Sequence, residues 1–98
     1  MLDVHSTAHH IAAKRPVMAV WAIGAIEQHG RHLPIGTDWI AVDAVARRVA
    51  DELDAWLVPS IPFSLSECHG DIPGTVSLKP PTLAAVLRDV VRSLMEQG

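Results

Sequence analysis

Residues 17–23, VMAVWAI, form a continuously apolar and partly β-branched run. That is the pattern of a strand covered on both faces in a parallel sheet. From Asp38 the period changes: Val42, Val45, Ala46, Val49, Ala50 and Leu53 fall on one stripe, with Asp43, Arg47, Arg48, Asp51 and Glu52 largely off it. This spacing predicts an amphipathic helix. Residues 55–63, AWLVPSIPF, read as a second strand broken by prolines, and the loop SLSECHGDIPGTVSLKPP follows. A last helix is expected from Thr82, with Leu83, Val86, Leu87, Val90, Val91, Leu94 and Met95 on one face and Gly98 at the C-terminal cap position. Ahead of these elements, Ser6 is a candidate N-cap for a short helix from Thr7 to about Lys14, which Pro16 ends.

The order strand, loop, helix, strand, loop, helix is the alternation of an α/β fold with a parallel sheet and right-handed crossovers. The chain has no internal repeat, low-complexity tract or linker. Two parallel strands with two amphipathic helices leave sheet edges open and helix faces half covered. Residues 1–98 are therefore expected to be the N-terminal part of a single larger domain, truncated where a third strand should begin.

Composition narrows the function by exclusion. Eight Lys and Arg against eleven Asp and Glu, net −3, supply no basic face for phosphates, so a nucleic-acid partner is not expected. The longest apolar run, Val17 to Ile23, is far below the ~20 residues of a spanning helix, so no membrane partner is expected either. Residues 1–16 place their basic pair after the apolar patch and offer no secretory cleavage pattern. The one cysteine, Cys68, forms no internal disulfide, and a reducing cytoplasmic setting is the default.

Between the first strand and the first long helix lies GAIEQHGRHLPIGTD, Gly24 to Asp38. Ligands of open α/β sheets bind beyond the carboxyl ends of the strands, where this loop departs. Glu27 and His29 are two apart, so on an extended segment their side chains project to the same side. Asp38, at the start of the helix, is where the loop folds back toward them. Carboxylate and imidazole together suit zinc, manganese or iron(II), and the absence of cysteine argues against a thiolate zinc site. Gly24, Gly30 and Gly36 allow the tight turns such convergence needs. Each residue also has a plain structural reading: Asp38 as an N-cap, Glu27 as a solvated charge, His29 as a hydrogen-bonded loop histidine. His32 stands as a candidate for facing substrate or supporting the ligands.

IGAIEQHGRHLPIGTD resembles the signature of the creatininase (creatinine amidohydrolase) family. ECHGDIPGTVSL, residues 67–78, is similar to that family's second block, a histidine shortly before Pro-Gly-Thr and an apolar pair. The resemblance covers roughly residues 17–98 and implies an α/β/α layered dinuclear metal hydrolase, commonly hexameric, of which this chain holds the N-terminal β-α-β-α part. It implies two divalent ions, zinc or manganese, with Glu27 on one, His29 on the other and Asp38 bridging. A shared water attacking a C–N bond of a cyclic or linear small-molecule amide is the expected chemistry. His69 would face the same cleft from the second loop, toward substrate or a neighbouring subunit. Cys68 reads as an incidental small residue.

The sequence departs from the family pattern at Arg31, where proline is usual, which puts a cation beside the ligands. The family's remaining ligands, a histidine and a further acidic residue, come from an Asn-Gly-His block that these residues do not contain. The residue that acts directly on substrate is therefore unknown from the sequence, and the short chain alone is expected to be inactive. Other readings are a related metal-dependent peptidase or deformylase, and an inactive remnant that binds metal or associates with other chains without catalysis.

Overall fold

The computed structural model describes residues 1–69 and 71–97. Helix α1 (Ala8–Lys14) opens the chain, followed by strand β1 (Ala19–Ile23), helix α2 (Thr37–Leu53), strand β2 (Trp56–Ile61), a 3-10 turn at Glu67–His69 and helix α3 (Pro80–Glu96). β1 and β2 pair in parallel, Ala19 opposite Trp56 and Trp21 opposite Val58, with a register shift before Ile23. The β1–α2–β2 crossover is thus the parallel α/β unit that the alternation of patterns predicts.

Several boundaries differ from the sequence reading. Thr7, not Ser6, caps α1, its hydroxyl accepting from the His10 N–H. Ser6 is already engaged, taking the Asp3 N–H on its own Oγ at 3.0 Å. β1 starts at Ala19 because pairing begins there, and Val17 is fully exposed (100%). β2 is likewise shorter, Trp56 to Ile61. α3 starts two residues before Thr82, with prolines in its first two positions. Proline lacks the N–H that the first turn leaves unpaired anyway, so it suits that place. The cap expected of Gly98 lies outside the described residues, and Gln97 closes the helix.

The core is small. Ala46 and Ala50 of α2, Ala55 and Leu57 are buried together, with Val20 and Ala22 of β1 packed against them. Small alanines let α2 lie close on the sheet. The rest of its apolar stripe is open, with Val45 62% and Leu53 53% exposed. α3 buries no residue completely, and its backbone makes no close approach to either strand. Asp43 of α2 accepts from the Ser60 hydroxyl of β2 at 2.9 Å and from Arg47 Nε at 3.1 Å, which fastens helix to strand. The guanidinium and the hydroxyl hold its carboxyl below the usual range. No helix among the described residues is long and apolar enough to cross a membrane.

Candidate metal centre

β1 ends where α2 begins. Gly24 lies so close to the first turn of α2 that an added Cβ would fall 2.6 Å from the Trp39 Cα. Only glycine permits that approach. The strand end and the helix start therefore meet, and the segment between them must double back. The Glu27 N–H donates to the Ile35 carbonyl at 3.0 Å, closing the doubled loop, and Gly30 takes a φ of 74° at its turn.

Closure brings the three sequence-predicted ligands together. One donor atom from each of Glu27, His29 and Asp38 lies within 4.8 Å of the others. His29 Nε2 stands 3.4 Å from Asp38 Oδ1, while its Nδ1 donates to the Glu27 carbonyl at 3.1 Å. A carbonyl only accepts, so the neutral ring keeps its proton on Nδ1 and points a lone pair from Nε2 into the cluster. That is how metal-binding imidazoles are usually oriented. The His29 pKa is raised, chiefly by the hydrogen bond to the Glu27 carbonyl; desolvation opposes this, and the charges of Asp38 and Glu27 reinforce it. Side-chain exposure climbs from 16% at Glu27 through 23% at His29 to 43% at Asp38, so the cluster opens to solvent on the helix side. Asp38 is not the N-cap, a position held by Gly36, and its carboxylate is free of that duty.

The second loop braces the first. The Val76 N–H donates to the Ile26 carbonyl at 2.9 Å, the Gln28 N–H to Thr75 Oγ1 at 3.1 Å, and Gly74, at φ 93°, sits against Ile35. His69 reaches the site by this route. Its Nε2 is 3.8 Å from Glu27 Oε2, and its Nδ1 is 2.9 Å from the Gln28 amide nitrogen. His32 is exposed on the loop and belongs to no ligand cluster among the described residues. Gln28 and Thr75 carry structural roles that the sequence reading assigned to neither. Both lie inside the two motif blocks, and that placement was the available signal.

Comparison with known proteins follows the same residues. Residues 4–98 match the family model for creatininase, creatinine amidohydrolase. The chain belongs to the creatininase family. A creatinine amidohydrolase of Pseudomonas putida is 32% identical over 81 residues, 78% of this chain and 31% of that protein. A mycofactocin precursor peptide peptidase of Mycolicibacterium smegmatis is 34% identical over 94 residues, 90% of this chain and 38% of that protein. A crystal structure of creatinine amidohydrolase superposes with a TM-score of 0.85 at 28% identity, over 99% of this chain and 41% of that one. A variant creatininase of Zn-Zn type (TM-score 0.82, 27% identity, 96% of this chain and 40% of that one) and a creatininase described as Mn (0.83, 27%, 97% and 40%) resemble it similarly. The chain thus spans well under half the length of these relatives. Its α/β architecture is that of the creatininase fold in part.

Proposed function

We propose that the chain carries the metal-binding loop of a creatininase-type amidohydrolase, with Glu27, His29 and Asp38 as ligands to zinc or manganese. The convergence of these three donors within 4.8 Å carries the reading. The donor set fits, because two carboxylates and an imidazole with its lone pair turned inward are hard and borderline ligands suited to such ions. In a two-ion arrangement Glu27 would hold one ion and His29 the other, with Asp38 available to both. A bound pair lowers the pKa of a water and polarises an amide carbonyl. The chain's own residues orient the site: the Glu27 carbonyl fixes the His29 ring, and the close approach of Gly24 to α2 brings Asp38 to it. His32 and His69 flank the approach, and Arg31 adds positive charge at its rim. Three protein donors leave open coordination positions on two ions, and in this reading the remaining ligands come from beyond these 98 residues. The setting is cytoplasmic and the completed protein a homo-oligomer, a hexamer as in its family, with a small-molecule amide as substrate.

A second reading concerns that substrate. The likeness to mycofactocin precursor peptide peptidases supports a peptide amide as the alternative to a cyclic one. Arg31, exposed beside the ligands, suits a peptide carboxylate.

Calorimetric titration with zinc and with manganese tests the ligand assignment. Glu27→Ala, His29→Ala and Asp38→Ala should each weaken binding about 10-fold or more, whereas His9→Ala, on α1, should not. Equal affinity in all four would end it.

A further inference from the structure

Gln28 stands between two of the ligands, yet its side chain turns to the second loop. Its backbone N–H is held by Thr75 Oγ1, and its Oε1 accepts the Gly30 N–H at 3.1 Å. A backbone N–H can only donate, so the oxygen end of the amide belongs to Gly30. The NH2 end then faces His69 Nδ1 at 2.9 Å. An amide NH2 only donates, which makes that ring nitrogen an acceptor without a proton.

We infer that Gln28 is a positioning residue that locks His69 in its Nε2–H tautomer, so that His69 aims an N–H, rather than a lone pair, at the carboxylate of Glu27. The two histidines of the site are set oppositely by what each Nδ1 meets. A carbonyl acceptor at His29 leaves Nε2 bare for a metal; an amide donor at His69 leaves Nε2 protonated. A protonated nitrogen has no lone pair to give, so His69 is no ligand. It lies 3.8 Å from Glu27 Oε2 and needs to close by roughly half an ångström to reach the ~3.2 Å limit of a hydrogen bond. Engaging that oxygen would leave the other Glu27 oxygen to hold an ion. Gln28 thereby governs the direction of a ligand it never touches through its own side chain.

This deepens the metal reading and rests on it for its purpose, but its test is made without metal. The full chain is labelled with 15N-histidine, and long-range proton–nitrogen correlation is recorded at alkaline pH, with exposed His32 as the internal reference. In the wild type, His69 should show one tautomer with protonated Nε2. Gln28→Ala should release the ring to the averaged shifts of His32. Gln28→Glu should invert it to Nδ1–H, because a carboxylate only accepts. A wild-type His69 protonated on Nδ1, or averaged like His32, overturns the inference, and so does a Gln28→Ala spectrum unchanged at His69. Should Gln28→Glu lose its amide dispersion, the wild type and Gln28→Ala decide alone. A chain that binds no metal but gives these spectra would sink the ligand assignment and leave the tautomer lock standing.

Discussion

His29 is the residue on which sequence, geometry and electrostatics meet, and its raised pKa has two consequences of opposite sign. In the metal-free chain, a group whose pKa rises on folding adds stability below its ordinary value of 6.5. That contribution is lost as pH climbs through the raised value. A metal needs the ring neutral, so the proton competes with it up to the same raised value. Zinc affinity should therefore increase as pH rises from the ordinary imidazole value of 6.5 through the raised one, and then level off. Over that range the metal-free chain should lose a little stability. Calorimetry and denaturant unfolding, each at several pH values, read the two slopes. In His29→Gln the stability slope should flatten, and an affinity that ignores pH in the wild type would remove His29 from the ligand set.

At the scale of the element, the decisive contact is between the end of β1 and the start of α2. An added methyl at Gly24 meets backbone atoms of Trp39, which cannot swing aside as a side-chain tip would. Overpacking of this kind typically costs about 1–3 kcal/mol. At Gly36 the nearest neighbours are side-chain carbons of Ile40 and Ile26, at 3.7 Å and 3.8 Å, an ordinary contact. Gly24→Ala should thus lower the denaturant midpoint clearly more than Gly36→Ala does, and should weaken zinc binding with it, because separating strand from helix draws Asp38 away from His29. Equal effects would show that the close approach does not hold the site together.

The same scale shows what was legible in the sequence. The convergence of Glu27, His29 and Asp38 was readable because they lie on one loop, so local spacing and motif sufficed to group them. The bracing contacts of Gln28 with Thr75 and His69 join residues 41 and 47 apart in sequence, and no periodicity encodes such a meeting. Element types followed from period, but their ends did not. Val17 continues an apolar run without pairing, and Pro80 resembles a loop residue until the unpaired N–H groups of a first helical turn are considered. The stripe of α2 marked the correct face, while burial selected only its alanines.

For the whole molecule, the dimensions are informative. The Cα radius of gyration is 15.4 Å, whereas a compact domain of about 100 residues has ~13 Å. The excess reflects α3, which leaves Val91 45% and Met95 75% exposed, and the uncovered stripe of α2. The buried cluster of Ala46, Ala50, Ala55 and Leu57 is too small to offset the conformational entropy of this many residues by itself. At micromolar concentration the 98-residue chain should accordingly be self-associated, covering these apolar faces between copies. Sedimentation velocity with thermal unfolding checks this, and a compact monomer with a sharp cooperative transition would contradict it.

Activity belongs to the same scale, since it depends on how much of the site one polypeptide closes. Water attack on an amide requires the reacting groups to be held within about half an ångström of productive geometry. Here three donors converge on a notch open at Asp38, whose side chain is 43% exposed. Water filling the open positions weakens metal binding and leaves the geometry loose. With zinc or manganese present, the 98-residue chain alone should therefore give no measurable hydrolysis of creatinine, of simple cyclic amides or of short peptides. Joined to a segment that carries a further histidine and acidic ligand, it should gain activity. Asp38→Ala should abolish that gain, because a carboxylate shared by two ions cannot be replaced at either one. Which substrate class responds separates the cyclic-amide reading from the peptide one. Robust metal-dependent turnover by the short chain would instead mean that Glu27, His29 and Asp38 suffice, or that His32 takes a ligand position the structure leaves exposed.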